Sequence, residues 1–292
     1  MARRLRRTAL YIPGNDPSMI LNSGIFGADS VVLDLEDAVS INEKDTARIL
    51  VRNALQNVDF GSSEVVVRIN ALSTPFGKED IEAIVCERLD AVRLPKCEYA
   101  DDILELEEVL ERVEEEKGLE KGSISIMPLI ESAMGSYNAV EIAQASRRNS
   151  AINFGGEDYT ADMGAQRTRG GMELLDIRMR ILLAARIAGI DALDTVFGNL
   201  NDEEGLIEET KLIKQIGFDG KSIIHPRQIR PIHDVFTPTE KEINKARRVI
   251  EAIEEAERRK SGVVALDGRM IDAPVVAKAR RVLAFAEAVG LV

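Results

Sequence analysis

Cysteine is scarce: Cys86 and Cys97 are the only two in the chain, and they do not form a metal-binding spacing. That excludes a disulfide framework and leads us to expect a reducing, cytoplasmic setting. Long hydrophobic runs are missing too. None reaches the roughly 20 residues needed to cross a bilayer, which argues against a membrane protein. Nor is there a surplus of positive charge. With 38 basic against 50 acidic residues the formal charge is −12, which argues against a general nucleic-acid binder. An anionic ligand is not excluded, because basic residues cluster at Arg3–Arg7 and around Arg227 and Arg230, although solvated surface is the plainer reading of such clusters. The apolar piece after the first cluster is short and meets Pro13-Gly14, so a first strand is expected there rather than a signal peptide.

What is present is a pattern of short β-rich runs. They begin near Thr8 (T-A-L-Y-I-P), Ser30, Glu64, Ala91, Ser123, Ser150, Asp194 (D-T-V-F-G) and Gly220. Their spacing averages about 30 residues, the length of a βα unit. Continuous Val/Ile/Leu runs suit strands buried on both faces. Helical patterns lie between them, as at Asp45–Gln56, Asp101–Glu116, Leu174–Ala188 and Asp202–Ile216. Eight such units in succession predict an α/β fold, a (β/α)8 TIM barrel over residues 1–236. From Thr237 the pattern changes. Thr239-Glu-Lys-Glu242 has the form of a capping box and opens a helix. A hairpin signal follows around Asp267-Gly268, and Asp272-Ala-Pro starts a last helix. Residues 237–292 are thus expected to form a helix–hairpin–helix extension that packs on its own barrel or reaches a neighbouring subunit.

Barrel enzymes carry their chemistry at the C-terminal ends of the strands. Here those ends read Asp34-Leu35-Glu36-Asp37, then Arg68-Ile69-Asn70, Arg93–Lys96, Glu131, Gly155-Gly156-Glu157-Asp158 and His225-Pro226. Acids from three strands beside Arg68, with Lys96 near, suggest a Mg²⁺ site that holds a carboxylate-bearing substrate. Mg²⁺ takes six oxygens in tight octahedral geometry, usually one or two protein carboxylates plus water and substrate. Glu131 and Asp158 would be the ligands, and Glu36 and Asp37 would hold metal-bound waters. Arg68 would fork onto a substrate carboxylate. Gly155 and Gly156 would leave space for the substrate beside the metal. Each residue also has a plainer explanation: Glu131 and Asp158 as helix starts, Asp34 as a paired structural acid, His225 as a rim histidine, and Asp272 as a helix cap. Glu157 is expected to be a neighbour rather than a ligand. Pattern alone leaves the reaction undecided.

These same stretches resemble the citrate lyase beta subunits, within the wider group of malyl-CoA and citramalyl-CoA lyases and pyruvate-type aldolases. The likeness is carried by Y-I-P-G-N at Tyr11, F-G-A-D-S-V-V-L-D-L-E-D-A-V-S ending at Ser40, and V-V-R-I-N-A-L-S-T-P-F-G up to Gly77. It continues through V-R-L-P-K at Val92, I-E-S-A-M-G at Ile130, G-K-S-I-I-H-P-R-Q-I to Ile229, and G-R-M-I-D-A-P at Gly268. The resemblance implies a Mg²⁺-dependent barrel that cleaves a carbon–carbon bond in a 3-hydroxyacyl thioester. It matches Glu131 and Asp158 to metal ligands and Arg68 to a carboxylate-binding arginine, and it places Glu131 against the substrate. Asp272 is matched to an acid/base that reaches a neighbouring subunit's site, which implies a homo-oligomer, trimer or hexamer. The implied reaction converts a citryl thioester to oxaloacetate and an acetyl thioester, with citrate lyase alpha and gamma subunits as partners. Gly-Gly-Glu before Asp158 resembles the CoA-lyase relatives equally, so acyl carrier protein and coenzyme A both stand as the thioester carrier. A non-catalytic assembly subunit is the reading from another class, and the complete set of rim charges speaks against it.

Overall fold

The computed structural model describes residues 4–258, 265–266 and 269–292. The chain runs β1 (Thr8–Pro13), α1 (Pro17–Asn22), β2 (Ser30–Asp34), α2 (Lys44–Asn57), β3 (Glu64–Arg68) and α3 (Gly77–Ile84). Next come β4 (Ala91–Leu94), α4 (Ala100–Glu116), β5 (Ser125–Ile130), α5 (Ala133–Tyr137), α6 (Ala139–Gln144) and β6 (Ala151–Phe154). The barrel ends with α7 (Gly156–Asp162), α8 (Leu175–Ala188), β7 (Asp191–Asp194), α9 (Glu203–Ile216), β8 (Gly220–Ile223) and α10 (Ile229–Phe236). Every neighbouring strand pair is parallel, and β8 pairs back onto β1, so the sheet closes as a (β/α)8 barrel. This is the predicted architecture.

The strands read as unbroken apolar runs because both faces are covered: β2 and β3 are buried at every position. Inside the barrel Ala9, Val32, Val66, Ala91, Met127, Ala151 and Leu193 form one hydrophobic layer. Burying a residue such as Val or Leu contributes roughly 1.5–3 kcal/mol. Side chains alternate along a strand, so the next inward layer lies two residues further on. Apart from Leu129 that layer carries polar groups: Tyr11, Asp34, Arg68, Arg93, Asn153 and Thr195. It is the floor on which the strand-end groups stand.

One strand expectation needs correction. The seventh strand was expected from Asp194 onward, but β7 is Asp191–Asp194 and Asp194 is its last residue. The segment looks too acidic for a buried strand, yet both carboxylates are neutralised from afar. Asp191 accepts from Arg6 at 2.8 Å, and Asp194 accepts a fork from Arg178 on α8, at 2.9 Å through both nitrogens.

The chain divides into a barrel unit, Arg6–His233, and a C-terminal unit that holds Asp234–Val292. The second contains α11 (Glu240–Arg258), the antiparallel pair β9 (Ala265–Leu266) and β10 (Arg269–Met270), and α12 (Ala273–Ala288). The capping box opens α11 as read: Thr239 Oγ1 accepts from the Glu242 amide, and the Glu242 carboxylate accepts from the Thr239 amide at 2.8 Å. The turn residues Asp267 and Gly268, on which the hairpin expectation rested, lie outside the described residues. Ala246, Val249, Ile271 and Ala279 form this unit's own small core. No helix among the described residues is long and apolar enough to cross a membrane.

Candidate active site

The site forms where β2, β3, β4, β5 and β6 end. Asp34, the last residue of β2, is buried and fully engaged. Its oxygens accept Arg68 Nε at 2.7 Å and Nη2 at 2.6 Å, and also the amides of Glu36 and Ala38. It is the paired structural acid. The fork of Arg68 is therefore closed on Asp34, which leaves Nη1 as its outward nitrogen. Nη1 stands 2.9 Å from Glu36 Oε2 and 3.4 Å from Asp37 Oδ2. Lys44, from the start of α2, donates to the carbonyls of Leu35 and Glu36 at 2.8 and 2.7 Å and so fixes the loop that carries both acids.

Glu131 follows β5 directly and is buried. Its Oε1 accepts the Lys96 amide at 2.8 Å. Lys96 itself takes φ 54°, the left-handed region, as no other non-glycine among the described residues does. Such backbone conformations cost energy and persist where the surroundings enforce them. Lys96 Nζ meanwhile stands 3.5 Å from Glu36 Oε1.

The Glu131 carboxyl is pushed up to about 8, first by burial and then by the charges of Glu36 and Asp158. Glu36 is pushed up to about 7, by burial ahead of the opposing Arg68 charge and the neighbouring Asp37. Burial is the first cause in both acids, and like charge from a neighbouring carboxylate adds to it.

Asp158 is exposed in the first turn of α7, close enough for its charge to act on Glu131. Glu157 beside it is exposed and turns to Arg167 at 3.4 Å. The two glycines before them accommodate the protein's own side chains. A Cβ on Gly155 would stand 2.6 Å from Glu131 Oε2, and one on Gly156 2.9 Å from Thr195 Oγ1. The room expected there for a substrate is thus room for Glu131 and Thr195. The Gly156 amide donates to that same threonine at 2.8 Å.

His225 caps the turn after β8, its Nδ1 accepting from the Arg227 amide at 3.1 Å. Asp272 belongs to the C-terminal unit, where it is exposed and caps α12 by accepting the Val275 amide at 3.1 Å. Glu36, Asp37, Arg68, Lys96, Glu131 and Asp158 are therefore gathered at one rim. Among the described residues, no three His, Cys, Asp or Glu side chains form a ready-made metal cage.

The sequence places Arg93 at a strand end and Tyr11 in a motif but assigns no role to either, nor to Lys44. The Arg68 guanidinium lies 4.9 Å and that of Arg93 5.2 Å from the centre of the Tyr11 ring. Their common signal was the pleat: Tyr11, Arg68 and Arg93 each sit two residues beyond a member of the hydrophobic layer.

A closed parallel barrel with carboxylates and a buried arginine at adjoining strand ends is the framework of a barrel enzyme acting on an anionic substrate. More specifically, the chain belongs to the HpcH/HpaI aldolase/citrate lyase family, whose model matches residues 7–226. It is 57% identical over 289 residues to the citrate lyase subunit beta of Leuconostoc mesenteroides subsp. cremoris, across 99% of this chain and 96% of that one. Among solved structures it is similar to the CitE protein of Mycobacterium tuberculosis in complex with magnesium, acetoacetate and coenzyme A. The TM-score is 0.78 at 32% identity, with 98% of this chain and 99% of that chain covered. It is also similar to a citrate lyase beta subunit from M. tuberculosis complexed with oxaloacetate and magnesium. There the TM-score is 0.68 at 33% identity, covering 81% of this chain and 99% of that chain.

Proposed function

We propose that this strand-end site, like that of the citrate lyase beta subunits the chain resembles, cleaves a citryl thioester to oxaloacetate and an acetyl thioester. The chain is a carbon–carbon lyase. The observation that carries the reading is the gathering of Glu131, Glu36 and Asp158 around Arg68, with Glu131 forced toward its neutral form. An all-oxygen set of crowded acids fits a hard divalent cation, and Mg²⁺ accepts one or two protein carboxylates with water and substrate completing the shell. Glu131 and Asp158 would hold it, with Glu36 and Asp37 holding its waters. When bound, Mg²⁺ supplies Lewis acidity at the oxygen where carbonyl character develops.

The chain's own residues would do the rest. A substrate carboxylate meets Arg68 at Nη1, displacing Glu36 and Asp37 from that nitrogen, while Asp34 keeps the guanidinium in place. A base takes the proton of the substrate's tertiary hydroxyl. The bond to the thioester's α-carbon then breaks, oxaloacetate departs, and the enolate of the acetyl thioester is protonated. Asp272, from a neighbouring subunit, is our candidate for moving that proton, a role worth about 10²–10⁴-fold. Its use would make a homo-oligomer, trimer or hexamer, a functional requirement. Acyl carrier protein is the proposed carrier, with citrate lyase alpha and gamma subunits as partners in the cytoplasm.

The second reading places the acyl group on free coenzyme A, as in citramalyl-CoA or malyl-CoA lyases, and is favoured by the coenzyme A bound to the 32%-identical M. tuberculosis relative. Assay of the purified chain with citryl-carrier protein and with citryl- and citramalyl-CoA separates the two. Turnover of any of them is expected to stop in excess EDTA and return with Mg²⁺. A full rate in EDTA would rule out the metal role.

A further inference from the structure

Arg93 is completely buried in β4. Its Nη1 donates to the Tyr11 phenol oxygen at 2.8 Å and lies 3.5 Å from Ser222 Oγ. Among the described residues, Nε and Nη2 have no hydrogen-bond partner and no carboxylate pairs with the group. The other buried arginines of the barrel differ: Arg68, Arg148 and Arg178 each fork onto a carboxylate at 2.9 Å or closer. A guanidinium taken out of water without a counter-charge is destabilising. Such a group is retained where it serves something besides stability.

Its setting indicates what that is. Tyr11 is half-buried at the floor of the site, with Arg68 and Arg93 both over its ring. Because the phenol oxygen accepts from Arg93, its own O–H must turn away from that cation. With positive charge behind it, the hydroxyl is a strengthened donor to an anion. In a low-dielectric floor that charge is little screened.

We propose that Tyr11 and Arg93 form a second carboxylate-recognition point, so that the site selects a substrate whose oxo-acid half carries two carboxylates over one that carries a single carboxylate. This rests on the lyase reading above and names the substrate class of the same site. A citryl thioester bears a carboxymethyl arm where a citramalyl thioester bears a methyl group. Arg68 Nη1 takes the carboxylate common to both, and the Tyr11 hydroxyl takes the one on the arm, with Arg93 supplying charge from behind. A methyl group there forms no bond and leaves Arg93 uncompensated, which is how a site built for a polar group rejects its apolar analogue.

The test is calorimetric binding of oxaloacetate and of pyruvate to the full-length, Mg²⁺-loaded protein as wild type, Arg93→Met and Tyr11→Phe. Wild type is expected to prefer oxaloacetate. Both substitutions should lower that preference by about tenfold, the scale of one lost hydrogen bond to a charged group. Arg93→Met should also melt no lower than wild type, because it removes an unpaired buried charge. A preference unchanged in both variants, or equal weakening of both ligands, overturns the proposal. Tyr11→Phe keeps the ring and carries the test alone where Arg93→Met does not fold. Citryl-thioester turnover by wild type is measured separately. Turnover with an unaltered binding preference in the variants sinks only this inference. A lost preference with no turnover sinks only the lyase reading.

Discussion

Glu131 shows how one residue couples charge to stability. Its carboxyl rises from the ordinary 4.5 to about 8 in the folded chain, by burial first and then by Glu36 and Asp158. Between those values the native state holds a proton that the unfolded chain has released. Stability therefore falls as pH rises through this window, the reverse of a salt-bridged acid. In EDTA the melting temperature should drop between about pH 5 and pH 8, and Mg²⁺ should reverse the drop most at the alkaline end. A melting temperature that rose over this range in EDTA would contradict the arrangement. Glu131 was legible in the sequence because it stands at a strand end. How Arg68 is engaged was not: Asp34 and Asp37 share that arginine, and only the folded chain shows that Asp34 occupies its fork.

At the scale of the element, most of the chain was legible. Strand spacing and the helical patterns reproduce the barrel, because a strand covered on both faces must be apolar throughout. The exception was β7, whose two aspartates find their arginines in Arg6 and Arg178, far away in sequence for Arg6. Helix α12 offers a clean separation of two roles. Asp272 caps it by accepting the Val275 amide, and asparagine caps about as well as aspartate. Asp272→Asn should leave the thermal melt unchanged while lowering kcat by about 10²–10⁴-fold, if the residue carries a proton. An unchanged kcat would reduce Asp272 to the cap that the structure shows.

At the scale of the molecule, a buried ionic network joins two barrel helices to the last two barrel strands, β7 and β8. Arg178 on α8 forks onto Asp194 of β7 and also reaches Glu209 on α9 at 2.9 Å, while Lys221 on β8 pairs with Glu209 and stands 3.5 Å from Asp194. Arg167 joins its edge to Glu157, 3.5 Å from Glu209 and 3.4 Å from Glu157, and so links the network to the helix that carries Asp158. Arg178→Met would leave two buried acids facing Lys221, with Arg167 only at the edge of Glu209. A loss of about 3–5 kcal/mol in urea unfolding is expected. A loss below about 1 kcal/mol would mean that the acids rearrange onto Lys221.

By itself the sequence determined the barrel, the strand ends that carry acids, and the family to which those motifs belong. These are properties of local order: strand period, unit length and motif spacing survive in one dimension. The tertiary structure decided how those charges are spent. Closure of the sheet brings β1, β3 and β4 round one floor, so that Tyr11 lies under two arginines, only one of which has a carboxylate among the described residues. It also turned two glycines from room for a ligand into room for Glu131 and Thr195. Which charge is paired and which stands alone depends on distances across the barrel, and no spacing along the chain encodes those.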